Sequence, residues 1–242
     1  MRSANQTNKI KRMIKNEIKI IGFDADDTLW INEPLYQETE KLFCDILKIY
    51  LTETETQREL FKTEMQNLEL YGYGAKAFIL SMIETALRIS DNKTSTYEIN
   101  QIIEIGKNLL NQPVILLNNV EKVLKKLQTN YKLIMATKGD LLDQERKLVK
   151  SGLVNYFHHI EIMSDKHENN YRKLIKHLDI KPQDFIMIGN SIKSDILPVI
   201  NIGANAIHVP FETTWLHEKI HEETDNSKFI TVNNLAEVLN IL

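Results

Sequence analysis

Residues 18–30 read IKIIGFDADDTLW. An unbroken apolar run closes abruptly in three carboxylates, Asp24, Asp26 and Asp27, followed by Thr28. Apolar residues without polar alternation fit a strand covered on both faces of a parallel sheet. Like charges set so close repel one another, so their placement needs a reason. In an open α/β sheet, ligands bind beyond the carboxyl ends of the strands, and this triplet falls at such an end. A hard cation would neutralise it: Mg²⁺ takes oxygen ligands, one or two of them carboxylates, and keeps positions for water and phosphate oxygens. A charged turn in which Asp27 caps a neighbouring element is the plainer alternative.

Five more short apolar runs resemble the first: YKLIMA (131–136), HIEIM (159–163), FIMIG (185–189), NAIHV (205–209) and KFITV (228–232). Helical patterns separate the last five. NNVEKVLKKLQ (118–128) spaces Val120, Val123, Leu124 and Leu127 for one helix face behind an asparagine suited to capping, and LLDQERKLVKSG ends on a glycine stop. ENNYRKLIKHL and SIKSDILPVINIG complete the alternation. Strand and helix in turn predict a doubly wound α/β parallel sheet. Residues 33–112 break the rhythm with helical patterns only, far more chain than a crossover needs. The expected organisation is a polar arm over 1–17, an α/β core over 18–32 and 113–242, and an inserted all-helical unit over 33–112.

Composition narrows the function. The 242 residues carry a net charge of −3, are 43% hydrophobic and 26% charged, and show no basic stripe of the kind that binds nucleic acid. No apolar run approaches the roughly 20 residues of a membrane span. The single cysteine, Cys44, excludes an internal disulfide and fits a reducing, cytoplasmic setting. The N-terminal segment lacks the apolar middle of a signal peptide. Nothing here reads out an oligomeric state.

The other strand ends bring further chemistry to the same edge. The second supplies Thr137 and Lys138, the third is followed by Lys166 in SDK, and the fourth by Asn190, Ser191 and Asp195 in GNSIKSD. Carboxylates, a hydroxyl, an ammonium and an amide are the parts of phosphoryl transfer: a nucleophile, a metal site and donors for the equatorial oxygens.

In order, DADDT, the threonine after the second strand, the lysine of SDK and GNSIKSD resemble the four motifs of haloacid dehalogenase-like hydrolases, and the helical insert resembles a C1-type cap. The resemblance runs from about Ile18 to the end of the chain. It implies a Mg²⁺-dependent phosphatase acting on a small phosphorylated metabolite through an aspartyl-phosphate, with phosphomutase or pyrophosphatase chemistry open to the same core. By the same resemblance, Asp24 is the nucleophile and Asp26 the acid that protonates the leaving oxygen and then helps activate water. Thr137 bonds a phosphoryl oxygen, and Lys166 pairs with Asp24 and the phosphoryl group. Mg²⁺ falls to Asp24, the Asp26 backbone carbonyl, Asn190 and Asp195, while Thr28 fixes the loop. Asn190 departs from the commoner aspartate, which removes one charge and shifts weight to Asp195. Asp26 itself favours an oxygen leaving group, because halide leaves without a proton.

Other features were weighed beside these. HEKIH (217–221) matches a zinc-peptidase pattern, but a polar solvated helix reads it as well and a third ligand is missing. His158 and His159 flank a strand and read as structural; Trp30 reads as packed rather than stacked on substrate. YGYGAKAF (71–78) interrupts the helical insert with Gly72 and Gly74, which permits a close backbone approach. It reads either as an ordinary turn or as a substrate-selecting loop in which Tyr73 and Lys76, with Lys138 from the core, touch the leaving group. A phospho-accepting signalling domain also uses acidic residues, a hydroxyl and a lysine, but is shorter and has no cap. A catalytically silent ligand-binding protein of this fold would not need all four motifs.

Overall fold

The computed structural model describes residues 18–219 and 228–242; the arm expected over 1–17 lies outside them. Six parallel strands form one sheet: β1 (Ile20–Phe23), β2 (Lys132–Lys138), β3 (His159–Met163), β4 (Phe185–Gly189), β5 (Asn205–His208) and β6 (Ile230–Thr231), in the order β3-β2-β1-β4-β5-β6. The chain order reverses between β1 and β4, whose paired ends are Phe23 and Ile188. That is the switch point at which an open α/β sheet binds ligand, and Asp24 and Asn190 follow those two strands.

Alternation along β1 sends Ile21 and Phe23 to one face and Ile20 to the other. The first face packs on Val120, Val123, Leu124 and Leu127 of helix α5 (Val120–Leu127) and on Val238. The second packs on Tyr171, Leu174 and Ile175 of α7 (Glu168–His177) and on Val199. Burial on both faces explains why the strands read as continuous apolar runs.

Two helix expectations change. Asn119 does precede α5, but its backbone is left-handed (φ 67°) and its side chain makes no capping bond. The run SIKSDILPVINIG is helical as expected, but it opens with a π-helical turn over Ile192–Ile196 before a short α-helix, α8 (Leu197–Asn201). Pro198 has no N–H for the Ser194 carbonyl four residues back, and that carbonyl accepts the Tyr171 hydroxyl at 3.0 Å instead. The glycine stop after α6 (Leu141–Ser151) holds: Gly152 takes φ 73°.

Between β1 and α5 lie four helices, α1 (Glu33–Leu47), α2 (Glu53–Tyr71), α3 (Ala75–Ile89) and α4 (Thr96–Asn111). Capping boxes at Thr52 and Ser95 open α2 and α4. Phe43, Leu47, Leu60, Phe78, Met82 and Ile102 give these helices an apolar cluster of their own, so they form a helical cap on the sheet core. The chain leaves and returns side by side: Ile31 N–H donates to Ile115 O at 3.0 Å and Leu117 N–H to Leu29 O at 2.9 Å. Among the described residues no helix is long and apolar enough to cross a membrane.

Candidate active site

The four strand ends converge. Asp24, one residue past β1, is buried, and its Oδ1 accepts from Lys166 Nζ at 2.5 Å. Lys166 follows β3, is 1% exposed, and gives a second bond to Asp195 Oδ1 at 2.6 Å. One ammonium is therefore shared by two buried carboxylates. Burial raises the Asp24 pKa, the Asp195 charge adds to the rise, and Lys166 opposes both. Burial works against the Lys166 charge, yet Asp195 and Asp24 outweigh it and raise its pKa well above the ordinary value. Lys166 is thus an ammonium, and the ionised form of Asp24 is the one it stabilises.

Gly189 makes room for this arrangement. A Cβ there would lie 2.3 Å from Asp195 Oδ2, so only glycine at the end of β4 lets that carboxylate turn back under the sheet edge. The second oxygen of Asp195 accepts the Ser191 N–H at 3.0 Å. Thr28 ties the first strand end to the fourth: its hydroxyl donates to Asp24 Oδ2 at 3.1 Å and accepts the Asn190 N–H at 3.1 Å. Asp27 is engaged by backbone donors instead. Its carboxylate accepts Asn32 N–H at 2.8 Å and Glu33 N–H at 3.0 Å, so it caps the start of α1. Burial pushes its pKa up to about 7 despite those donors.

Asp26 sits opposite, held by three donors. Trp30 Nε1 and Lys147 Nζ reach Oδ1 at 2.7 and 3.0 Å, and Gln144 Nε2 reaches Oδ2 at 2.7 Å. Trp30 is 1% exposed, a packed residue as expected. A cavity of about 180 Å³ opens between sheet edge and cap, and Asp24, Asp26, Thr137, Lys138, Lys166, Asn190 and Asp195 all line it.

A model of haloacid dehalogenase-like hydrolases matches residues 18–203. The chain belongs to this family. A haloacid dehalogenase-like family hydrolase from Xanthomonas campestris superposes with a TM-score of 0.83 at 34% identity, covering 93% of this chain and 92% of that one. Among curated relatives, a glyceraldehyde 3-phosphate phosphatase from Methanothermobacter thermautotrophicus is 25% identical over 52% of this chain and 57% of its own. An N-acylneuraminate-9-phosphatase from Mus musculus is 28% identical over 44% of this chain and 43% of its own. The chain thus matches about half the length of these curated relatives.

In this haloacid dehalogenase-like chain the loop between α2 and α3 reaches the core. Gly74 adopts φ 107°, and a Cβ there would lie 3.0 Å from Asp140 N. Tyr73 lines the cavity, donates to Asp165 Oδ2 at 3.3 Å, and places its ring 4.2 Å from Lys138 Nζ. Lys76 instead pairs with Asp140 at 3.0 Å, half exposed, and is not among the residues lining the cavity.

The HEKIH stretch is not a solvated helix. Leu216–Glu218 is a single 3₁₀ turn, and His221 lies outside the described residues. His217 Nε2 lies 3.1 Å from Lys193 Nζ, which occupies the nitrogen a metal would need. Glu218 lines the cavity and accepts from Lys138, Ser191 and Ser194. Burial alone would raise its pKa; the Lys138 ammonium and these hydrogen bonds outweigh burial and bring it down to about 2. Sequence reasoning missed it, although a signal existed: Glu218 follows the fifth strand, and only four strand ends had been read for chemistry. Gln144 and Lys147 were missed as well. Their spacing of three along α6 puts both on one helix face, but nothing in the sequence says that the face meets Asp26.

The donor set around Asp24 fits a hard divalent cation. Two buried carboxylates share one ammonium, the Asn190 amide lies beside Thr28, and among the described residues no imidazole or thiol lines the cavity.

Proposed function

We propose that this protein is a Mg²⁺-dependent phosphatase that hydrolyses a small phosphorylated metabolite, with Asp24 as nucleophile. The observation that carries the reading is Lys166 Nζ bonded at once to buried Asp24 and buried Asp195 beneath the cavity between sheet edge and cap. An ammonium so placed favours the ionised form of Asp24 against the burial that raises its pKa, and is available to an equatorial phosphoryl oxygen. Phosphatase names among the relatives support the reaction class.

In this account an Asp24 carboxylate oxygen attacks phosphorus, and the bond to the leaving oxygen breaks. Asp26 gives that oxygen its proton, then takes one from the water that attacks the acyl phosphate and releases Asp24 and phosphate. Thr137 and Lys166 hold phosphoryl oxygens. Gln144, Lys147 and Trp30 are positioning residues for Asp26. Asp24, the Asp26 backbone carbonyl and Asn190 would hold Mg²⁺, with Asp195 in support. Bound there, the metal neutralises charge on the phosphoryl oxygens. The cap excludes water while the intermediate forms. The test is p-nitrophenyl phosphate turnover with Mg²⁺ and with EDTA. Turnover abolished by EDTA is expected; none under either condition contradicts the proposal.

A further inference from the structure

The cavity does not stop at the catalytic edge. It continues into the cap, where Glu33 and Glu40 of α1 and Glu64 of α2 line it. Glu33 and Glu40, seven residues apart, share a helix face with Tyr36, which is also in the wall. Among the described residues, nine carboxylates and three lysines line the cavity. Each lysine is already engaged by carboxylates nearer the core: Lys166 by Asp24 and Asp195, Lys138 by Glu218, and Lys147 by Asp26. The cap glutamates are left with little. Glu33 accepts from Gln37 Nε2 at 3.2 Å, and the cation whose charge reaches it, Lys219, is exposed to solvent. Burial, with the Glu40 charge added, pushes Glu33 up to about 7 despite Gln37 and Lys219; burial, then the charges of Glu40 and Glu33, push Glu64 up to about 8.

A second observation points the same way. Gln144 is 2% exposed and lines the cavity. Its Nε2 is spent on Asp26 Oδ2 at 2.7 Å and the Lys138 carbonyl at 3.2 Å. Both partners are acceptors, so the amide cannot be turned over. That leaves Gln144 Oε1 buried with no donor among the described residues. A buried acceptor without a partner is costly and waits for a donor.

We infer that the alcohol part of the substrate carries a cationic amine, which the cap glutamates receive while the phosphoryl group meets Asp24. This rests on the phosphatase reading. A neutral polyol could donate hydrogen bonds to these groups, but it leaves the cap glutamates without a counter-charge. An amine brings the missing charge with it, and a charge-assisted contact to carboxylate is the strong kind. The substrate class this implies is an amino-alcohol or amino-sugar phosphate.

The experiment compares kcat/KM of the full chain with saturating Mg²⁺ on matched pairs: 2-aminoethyl against 2-hydroxyethyl phosphate, 3-aminopropyl against 3-hydroxypropyl phosphate, and glucosamine 6-phosphate against glucose 6-phosphate. An advantage of about tenfold or more for the amine is expected in at least one pair, the scale of one charge-assisted contact. Glu40→Gln with Glu64→Gln, which keeps shape and removes charge, should shrink that ratio toward one. Ratios near or below one in every pair, with p-nitrophenyl phosphate still turned over, overturn the amine proposal alone. An amine advantage unmoved by the double variant also overturns it. Failure to turn over p-nitrophenyl phosphate defeats the phosphatase reading instead.

Discussion

Lys147 reaches from α6 to Asp26, placing Nζ 3.0 Å from Oδ1, while Gln144 one helical turn earlier holds Oδ2 at 2.7 Å. The carboxyl group is fixed at both oxygens. Lys147→Met removes one of the three donors, beside Trp30 and Gln144, and loosens that hold, which matters only where the leaving group needs a proton. The expected loss in kcat is about tenfold on an alkyl phosphate and much smaller on p-nitrophenyl phosphate, whose phenolate leaves unaided. Equal losses on both would make Lys147 a residue of stability rather than of Asp26 placement.

Gly189 offers a test of the opposite strand end. Gly189→Ala puts a methyl group where Asp195 Oδ2 now lies, 2.3 Å away. The carboxylate must move, and Lys166 with it. A shift near 1 Å in a positioning group costs about 10² in kcat. Circular dichroism should show a folded protein, so that lost turnover reports the site. Wild-type turnover would mean that the Asp195–Lys166 contact is dispensable.

How much of this was legible in the sequence depends on range. The central strands stood out because they are buried on both faces, and Asp24, Thr137, Lys166 and Asp195 were found because each stands at or beyond the carboxyl end of a strand. Glu218 also follows a strand, but the polar run around it has no periodicity to mark it as buried. Gln144 and Glu64 lie on helices whose patterns tell only which face is polar; that the polar face of α2 lines a cavity is decided by how the cap meets the core. Lys76 shows the same gap, since its partner Asp140 is 64 residues away and no local spacing reveals it.

Glu64 makes a prediction about stability and pH. Its folded-state pKa is raised from 4.5 to about 8 by burial and neighbouring carboxylates. The folded state therefore holds the proton more tightly than the unfolded one, and Glu64 costs stability increasingly as pH rises from about 4.5 to about 8. Glu64→Gln cannot ionise. Its Tm should equal that of the wild type below about pH 4.5 and exceed it by about 2–4 °C above pH 8, the effect of roughly 1 kcal/mol in a chain of this size. A constant difference at all pH values would show that the carboxyl group is not strained by its surroundings.

Asn190→Asp adds a carboxylate beside Asp24 and Thr28. A lower Mg²⁺ concentration for half-maximal activity is expected, with EDTA abolishing turnover in both forms. An unchanged Mg²⁺ titration places Asn190 outside the metal's ligands.

The central claim is that Asp24 performs the covalent chemistry, and kcat of Asp24→Asn measures it most directly. The substitution keeps the shape next to Lys166 but removes both the nucleophilic charge and a metal ligand. With saturating Mg²⁺ and p-nitrophenyl phosphate, the account predicts a loss of at least about 10³ in kcat. An Asp24→Asn enzyme that keeps a tenth or more of wild-type turnover would contradict it.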